Sequence, residues 1–231
     1  MSLAEISAPK GAVYLSHHCV LKETSSTTKC HVVFDASSKT ASGKSLNDVL
    51  MTGPVLQDSL VNILLRFRTP VIALTEDVRQ MYRIVEVAAT DCNYQRILWW
   101  LNDVGEYTLN TVTYGTKSAS DLATKCVQQL LSNITESDPD TFEKASMGIY
   151  VDVILTGADS PKEARQLRQQ LSEFFSTGVF HLRKWAPNHS SALEGVPEAD
   201  LEVKIPIELH GSDTIKALGI HLQPCSDEFT F

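Results

Sequence analysis

Two aspartates stand in apolar surroundings, each where a buried strand would end. Asp77 closes the run Val71-Ile72-Ala73-Leu74-Thr75-Glu76-Asp77-Val78, and Asp152 lies within Met147-Gly148-Ile149-Tyr150-Val151-Asp152-Val153-Ile154-Leu155. An ionised carboxylate in such a run loses hydration and needs a compensating charge, which a divalent cation shared by two carboxylates supplies. In-line phosphoryl or nucleotidyl transfer uses that arrangement, with two cations roughly 3.5 to 4 Å apart stabilising the attacking and leaving oxygens. Asp77 and Asp152 are therefore the candidate catalytic residues and metal ligands. Taken singly, each is better explained as a solvated turn or capping aspartate; the pair, with the order of the elements, is what points to metal.

Other residues could serve the same chemistry. Tyr82, five positions after Asp77, could form the floor of a sugar pocket, or be an ordinary core tyrosine. Tyr114-Gly115-Thr116-Lys117-Ser118-Ala119 puts small residues and a bend before a helix, which permits close approach of a base pair or phosphate, although a simple helix start is the favoured explanation from spacing alone. Lys22, Lys29 and His31 flank a polar loop that could fold over a triphosphate or be a solvated hairpin.

The elements that must hold these residues follow from periodicity and punctuation. Val13–Leu15, Cys19–Leu21 and Cys30–Phe34 predict short strands around a polar loop over 22–29. Pro54 predicts a helix start, with Val55, Leu56, Leu60, Ile63, Leu64 and Phe67 at helical spacing and a stop before Pro70. Val71–Thr75 predicts a strand into Asp77. Tyr94–Leu101 and Tyr107–Thr113 predict a hairpin turning over Asn102–Gly105. Leu122, Cys126, Val127, Leu130 and Leu131 mark a helix, a loop follows over 132–140, and 145–155 reads as a strand pair around Asp152. Ala164, Leu167, Leu171, Phe174 and Phe175 mark another helix ended near Gly178, before strands over 179–185 and 214–222. From Val71 onward this is strand, hairpin, helix, strand pair, helix, strand. That is the order of a ferredoxin-like split βαβ, an α+β arrangement with an antiparallel sheet and helices on one face.

Composition bounds the function. The 231 residues are 43% hydrophobic, enough for a full core, and carry a formal net charge of −8 with pI near 5.3. Such a surface does not grip nucleic acid nonspecifically, so any such contact is local. Five cysteines, at 19, 30, 92, 126 and 225, include no CxxC and signal neither a zinc site nor a disulfide framework. A reducing, intracellular compartment, cytoplasmic or else nuclear, is the simpler expectation. No stretch approaches the roughly 18 apolar residues of a membrane span.

The ordered motifs resemble one family. The strings 14–22 (YLSHHCVLK), 27–37 (TTKCHVVFDAS) and 45–48 (SLND), then Gly53-Pro54, look like the fingers of reverse transcriptases from BEL/Pao-type long-terminal-repeat retrotransposons. Ala73–Asp77 with Met81-Tyr82-Arg83, then Tyr94–Trp99, resembles that family's first catalytic motif. Leu109–Thr116 with Leu122-Ala123-Thr124 is similar to its template and nucleotide motif. Tyr150-Val151-Asp152, Leu155–Ala158 and Phe180–Trp185 continue the likeness, and Leu218-Gly219 sits where the primer-grip strand would be.

The resemblance implies a polymerase palm over 71–231 with a fingers hairpin inserted near 84–112, fingers over 14–70 and a tail over 1–13. It implies Asp77, Asp152 and the Val78 carbonyl as ligands of magnesium, with manganese as a substitute. Tyr82 would be the gate against ribonucleotides, and Lys29, His31, Tyr114 and Gly115 would lie near the incoming deoxynucleotide. The partners implied are an RNA or DNA template–primer and dNTP. The sequence also departs from the family. Val153 replaces the adjacent catalytic aspartate, and His31 replaces an arginine that clamps triphosphate through a permanent bidentate charge. Ser16 and Ser120 replace prolines, and Asp121 replaces an aromatic residue. Glu76 cannot stand in for the missing aspartate, because neighbouring strand residues point to opposite faces. The expectation is an RNA-directed DNA polymerase domain impaired in two-metal nucleotidyl transfer. Its rivals are a noncatalytic domesticated or decayed module that binds nucleic acid or protein, and an unrelated α+β domain with structural aspartates.

Overall fold

The computed structural model describes residues 1–4, 8–21, 29–100, 102–133, 138–201, 215–217, 220–223 and 228–230, with the last three segments and Glu198 described by backbone alone. Leu218-Gly219 and residues 22–28 of the expected loop lie outside the described residues. In chain order the elements are β1 (Ser2–Leu3), β2 (Ser16–Leu21), β3 (Cys30–Asp35), α1 (Leu46–Val49), α2 (Leu60–Phe67), β4 (Ile72–Val78), α3 (Met81–Ile84), β5 (Arg96–Trp100) and β6 (Val104–Thr108). There follow α4 (Ala119–Ser132), α5 (Pro139–Gly148), β7 (Ile149–Tyr150), β8 (Val153–Ala158), α6 (Pro161–Thr177), β9 (Leu182–Pro187), β10 (Ile215–Ala217), β11 (Ile220–Gln223) and β12 (Glu228–Thr230). The class is mixed α and β with antiparallel sheets.

The chain divides into two compact units, one of residues 1–56 and 80–126, the other of 57–79 and 127–231. In the first, β2 pairs with β3 and β6 lies between β1 and β5, so Ser2 and Leu3, which show no sequence pattern, are strand. Leu15, Phe34, Ala36, Leu46, Ile97 and Leu109 form its core. Cys19 and Cys30 come together as a disulfide diagonally across β2 and β3, with Cα atoms 6.0 Å apart, a pairing the odd cysteine count does not signal.

The second unit is built on the sheet β7-β8-β4-β9, antiparallel throughout. Ala73 and Leu155 on one face pack with Ile63 and Phe67 of α2 and with Ala186. The alternate positions Ile72, Leu74, Val78, Ile154 and Ala158 are just as buried, so both faces of β4 and β8 are covered, not one as the strand and helix order suggested. A separate sheet joins β10, β11 and β12; within the single strand expected over 214–222, the described residues Ile215–Ala217 and Ile220–Leu222 belong to two strands paired antiparallel.

Local chemistry explains the other shifts from expectation. Helix α2 starts at Ser59 rather than Pro54. The Ser59 hydroxyl accepts from Asn62 N at 3.2 Å, and the Asp58 carboxylate accepts from Ser59 N at 2.7 Å and Asn62 Nδ2 at 3.0 Å, whereas Val55 is 94% exposed. Residues 139–148 are helix, not loop and strand. Asp138 caps Thr141 N at 3.2 Å and Pro139 opens the first turn, a signature legible in the sequence. Val104 and Gly105 belong to β6, paired with Trp100 and Trp99, not to the turn. Helix α6 is capped by Ser160 and buries Ala164, Leu167, Leu171 and Phe175 along one stripe. It ends as expected at Gly178, with Phe180 N bonded to Phe175 O at 3.0 Å and Val179 N to Ser176 O at 3.0 Å. That is a Schellman closure in which Val179, not glycine, takes the left-handed position at φ 65°.

Candidate functional site

In the second unit Asp77 sits near the end of β4, and its neighbour across the ladder is Val153, the first residue of β8. Tyr150 pairs with Val153, so Val151 and Asp152 form a two-residue hairpin turn. Val151 holds φ 54°, at a turn position that glycine normally takes and that a β-branched residue adopts only under strain. Val78 N donates to the Asp152 carbonyl at 2.7 Å, which pins the turn to the end of β4. The two aspartates, far apart in sequence, thus meet at one end of the sheet. Burial, and next the charge of Asp77, push the Asp152 carboxyl above its ordinary value, while Lys184 and Arg183 oppose the rise.

The charge on Asp77 is met by the chain itself. Lys184 Nζ donates to Asp77 Oδ2 at 2.9 Å, and Arg183 Nε lies 3.7 Å from Oδ1, too far for a hydrogen bond but close enough for attraction. Successive residues of a regular strand point to opposite faces, so both cannot ordinarily reach one carboxylate. The register explains it. Thr75 pairs with Ala186 but Asp77 with Arg183, so β9 carries one extra residue, and Lys184 takes φ 57° within that bulge. Phe180–Trp185 marks this region in the sequence, but nothing in it announces a bulge or the two cations on Asp77.

Glu76 occupies the opposite face, across from Ile154. It is 2% exposed, and neither carboxylate oxygen has a hydrogen-bond partner among the described residues. Burial drives its pKa well above the ordinary 4.5. The geometry accords with the sequence argument that Glu76 cannot replace a carboxylate at 153. Among the described residues no group of three or more His, Cys, Asp or Glu side chains is arranged to hold a metal ion.

The remaining candidates belong to the first unit. Tyr82, on α3, shares a hydrogen bond of 3.1 Å with Ser120. Gly115 holds φ 92°, and a Cβ there would lie 2.3 Å from the Phe34 carbonyl oxygen, so the position tolerates no side chain. Tyr114 donates its hydroxyl to Val32 O, and its ring lies 5.4 Å from Phe34 and 5.5 Å from the Arg83 guanidinium. Asn47 binds this turn at two points, donating to Gly115 O at 3.0 Å and accepting from Lys117 N at 2.7 Å. Its role as a clamp on the glycine turn is not visible from spacing, since 68 residues separate the partners. Lys29 and His31 are exposed at the end of the β2 and β3 pair.

No protein-family model matches the chain, and no curated protein does. Solved structures do. The protease–reverse transcriptase of prototype foamy virus, a mutant form, is 15% identical with a TM-score of 0.58, the alignment covering 76% of this chain and 21% of that one. The foamy viral protease–reverse transcriptase in complex with double-stranded DNA is 14% identical with a TM-score of 0.61, covering 92% of this chain and 30% of that one. The fold is therefore reverse-transcriptase-like, and the chain spans less than a third of either structure's length. Among the described residues no helix is long and apolar enough to cross a membrane.

Proposed function

We propose that this chain is the fingers and palm of an RNA-directed DNA polymerase of BEL/Pao-type retrotransposon origin, with nucleotidyl transfer impaired or lost. The observation that carries this reading is the convergence of Asp77 from β4 and Asp152 from the β7–β8 turn at one end of an antiparallel sheet. The likeness to foamy viral structures supports it, one of them bound to double-stranded DNA. On this reading the Asp77–Asp152 end of the sheet is the remnant reaction centre, and Tyr82, Tyr114, Gly115, Lys29 and His31 face a template–primer and deoxynucleotide.

Polymerases of this kind draw on a pair of divalent cations to neutralise charge developing on phosphate oxygens. The residues here do not fit such a pair. Val153 stands directly across the ladder from Asp77, where a carboxylate would complete the set, and packs instead against the α2 cluster. Asp77 is already compensated by Lys184 and Arg183. His31 lacks the permanent bidentate charge that would hold triphosphate. These features favour a second reading, a noncatalytic module that keeps the fold to bind nucleic acid or protein.

Primer extension with magnesium, then manganese, tests the proposal in wild type, Val153→Asp and Val153→Asp/His31→Arg. Extension by the double variant at least about 100-fold above wild type, equivalent to about 2.7 kcal/mol of barrier, supports an impaired polymerase. Fast extension by wild type refutes the impairment. Primer–template binding with no extension by any variant selects the noncatalytic module.

A further inference from the structure

We propose that Lys184 is a resident counter-cation of the Asp77–Asp152 pair, seated by the β9 bulge, and takes the charge-compensating role that a divalent cation would otherwise fill. The inference rests on the reading above and goes beyond it, because it assigns the loss of a metal site to a built-in contact as well as to the missing carboxylate at 153.

Three independent features carry it. The first is distance: Lys184 Nζ makes a charge-assisted bond of 2.9 Å to Asp77 Oδ2, with both side chains largely buried at 33% and 20% exposure. The second is backbone: the extra residue in β9 and the φ of 57° at Lys184 bring Lys184 and Arg183 to the same carboxylate, which a regular strand forbids. A residue with a side chain rarely adopts this conformation, so the bulge is maintained by its surroundings, with Trp185 and Ala186 buried behind it. The third is charge balance. Two carboxylates at one end of an apolar sheet require positive charge nearby, and Lys184 and Arg183 provide two cations, both acting on Asp152 as well as Asp77. A divalent ion placed on Asp77 would face repulsion from the ammonium at this short range.

The test measures Mn²⁺ binding to the full chain by electron paramagnetic resonance of the free ion, in wild type, Lys184→Gly, Val153→Asp and Val153→Asp/Lys184→Gly. Glycine suits the left-handed position, so the backbone is retained while the ammonium is deleted. Lys184→Asn, which also accepts that conformation, repeats the comparison if the glycine variant fails to fold by circular dichroism. The expected result is Mn²⁺ binding at least about tenfold tighter in Val153→Asp/Lys184→Gly than in Val153→Asp, abolished by adding Asp77→Asn. Equal affinities with and without Lys184, or binding that survives Asp77→Asn, overturn the proposal. Fluorescence anisotropy of a labelled primer–template on the same proteins separates the two claims. Nucleic-acid binding without the Lys184 effect leaves the domain reading standing alone, and the Lys184 effect without nucleic-acid binding does the reverse.

Discussion

At the scale of single residues, two acids on adjacent positions of β4, Glu76 buried and Asp77 partly exposed, take opposite fates. Asp77 points to the face where Lys184 and Arg183 meet it, whereas Glu76 points into apolar packing with no partner among the described residues. Burial raises the Glu76 pKa above 4.5, so the folded state holds its proton while the unfolded state releases it. The stability present below pH 4.5 is therefore lost progressively as pH rises from there toward the raised folded value. Glu76→Leu should stabilise the chain by about 1–3 kcal/mol at pH 8. Urea unfolding should show the gap between variant and wild type widening from pH 5 to pH 8. A gap that stays constant would mean Glu76 finds a partner. Alternation along a strand was enough to separate the two acids from sequence alone. That Glu76 is unpartnered was not legible, because burial depends on what covers the far face.

At the scale of elements, the strained left-handed positions make direct predictions. Val179 closes the Schellman end of α6 at φ 65° and is 74% exposed, so glycine there relieves strain without removing packing. Val179→Gly should raise thermal stability by about 1 kcal/mol, the relief of strain exceeding the added freedom of the unfolded chain. A lower melting temperature would show that Val179 contributes contacts. Gly115 is the opposite case: Gly115→Ala should cost about 1–3 kcal/mol, because its Cβ meets the Phe34 carbonyl. Calorimetry of that variant with no loss would mean the turn can move away. Helices α4 and α6, strand β4 that carries Asp77 and strand β8 that follows Asp152 were legible in the sequence because their apolar periods are strong. Sequence reading misplaced the start of α2 and missed α5, where a capping hydroxyl and an Asp-Pro pair decided the outcome rather than apolar spacing. The β9 bulge was invisible, since a one-residue register shift leaves no mark in composition.

At the scale of the whole molecule, a net charge of −8 confines any phosphate contact to a few local cations. Primer–template affinity should fall with added salt along a shallow slope set by those few contacts. Salt-independent binding would point to a partner other than nucleic acid. The fold order was legible because the strands and helices around both aspartates recur in the right succession. The meeting of Asp77 with Asp152 was only inferable, since it depends on β8 pairing with β4 rather than with another edge. That meeting is the claim on which the account stands, and carboxyl carbon NMR titration of Asp152 tests it directly. In wild type the Asp152 carboxyl should titrate above 3.8, and Asp77→Asn should lower it, by removing a negative neighbour and leaving Lys184 and Arg183 to act on Asp152 alone. An Asp152 titration indifferent to Asp77→Asn would show that the two carboxylates do not share a site.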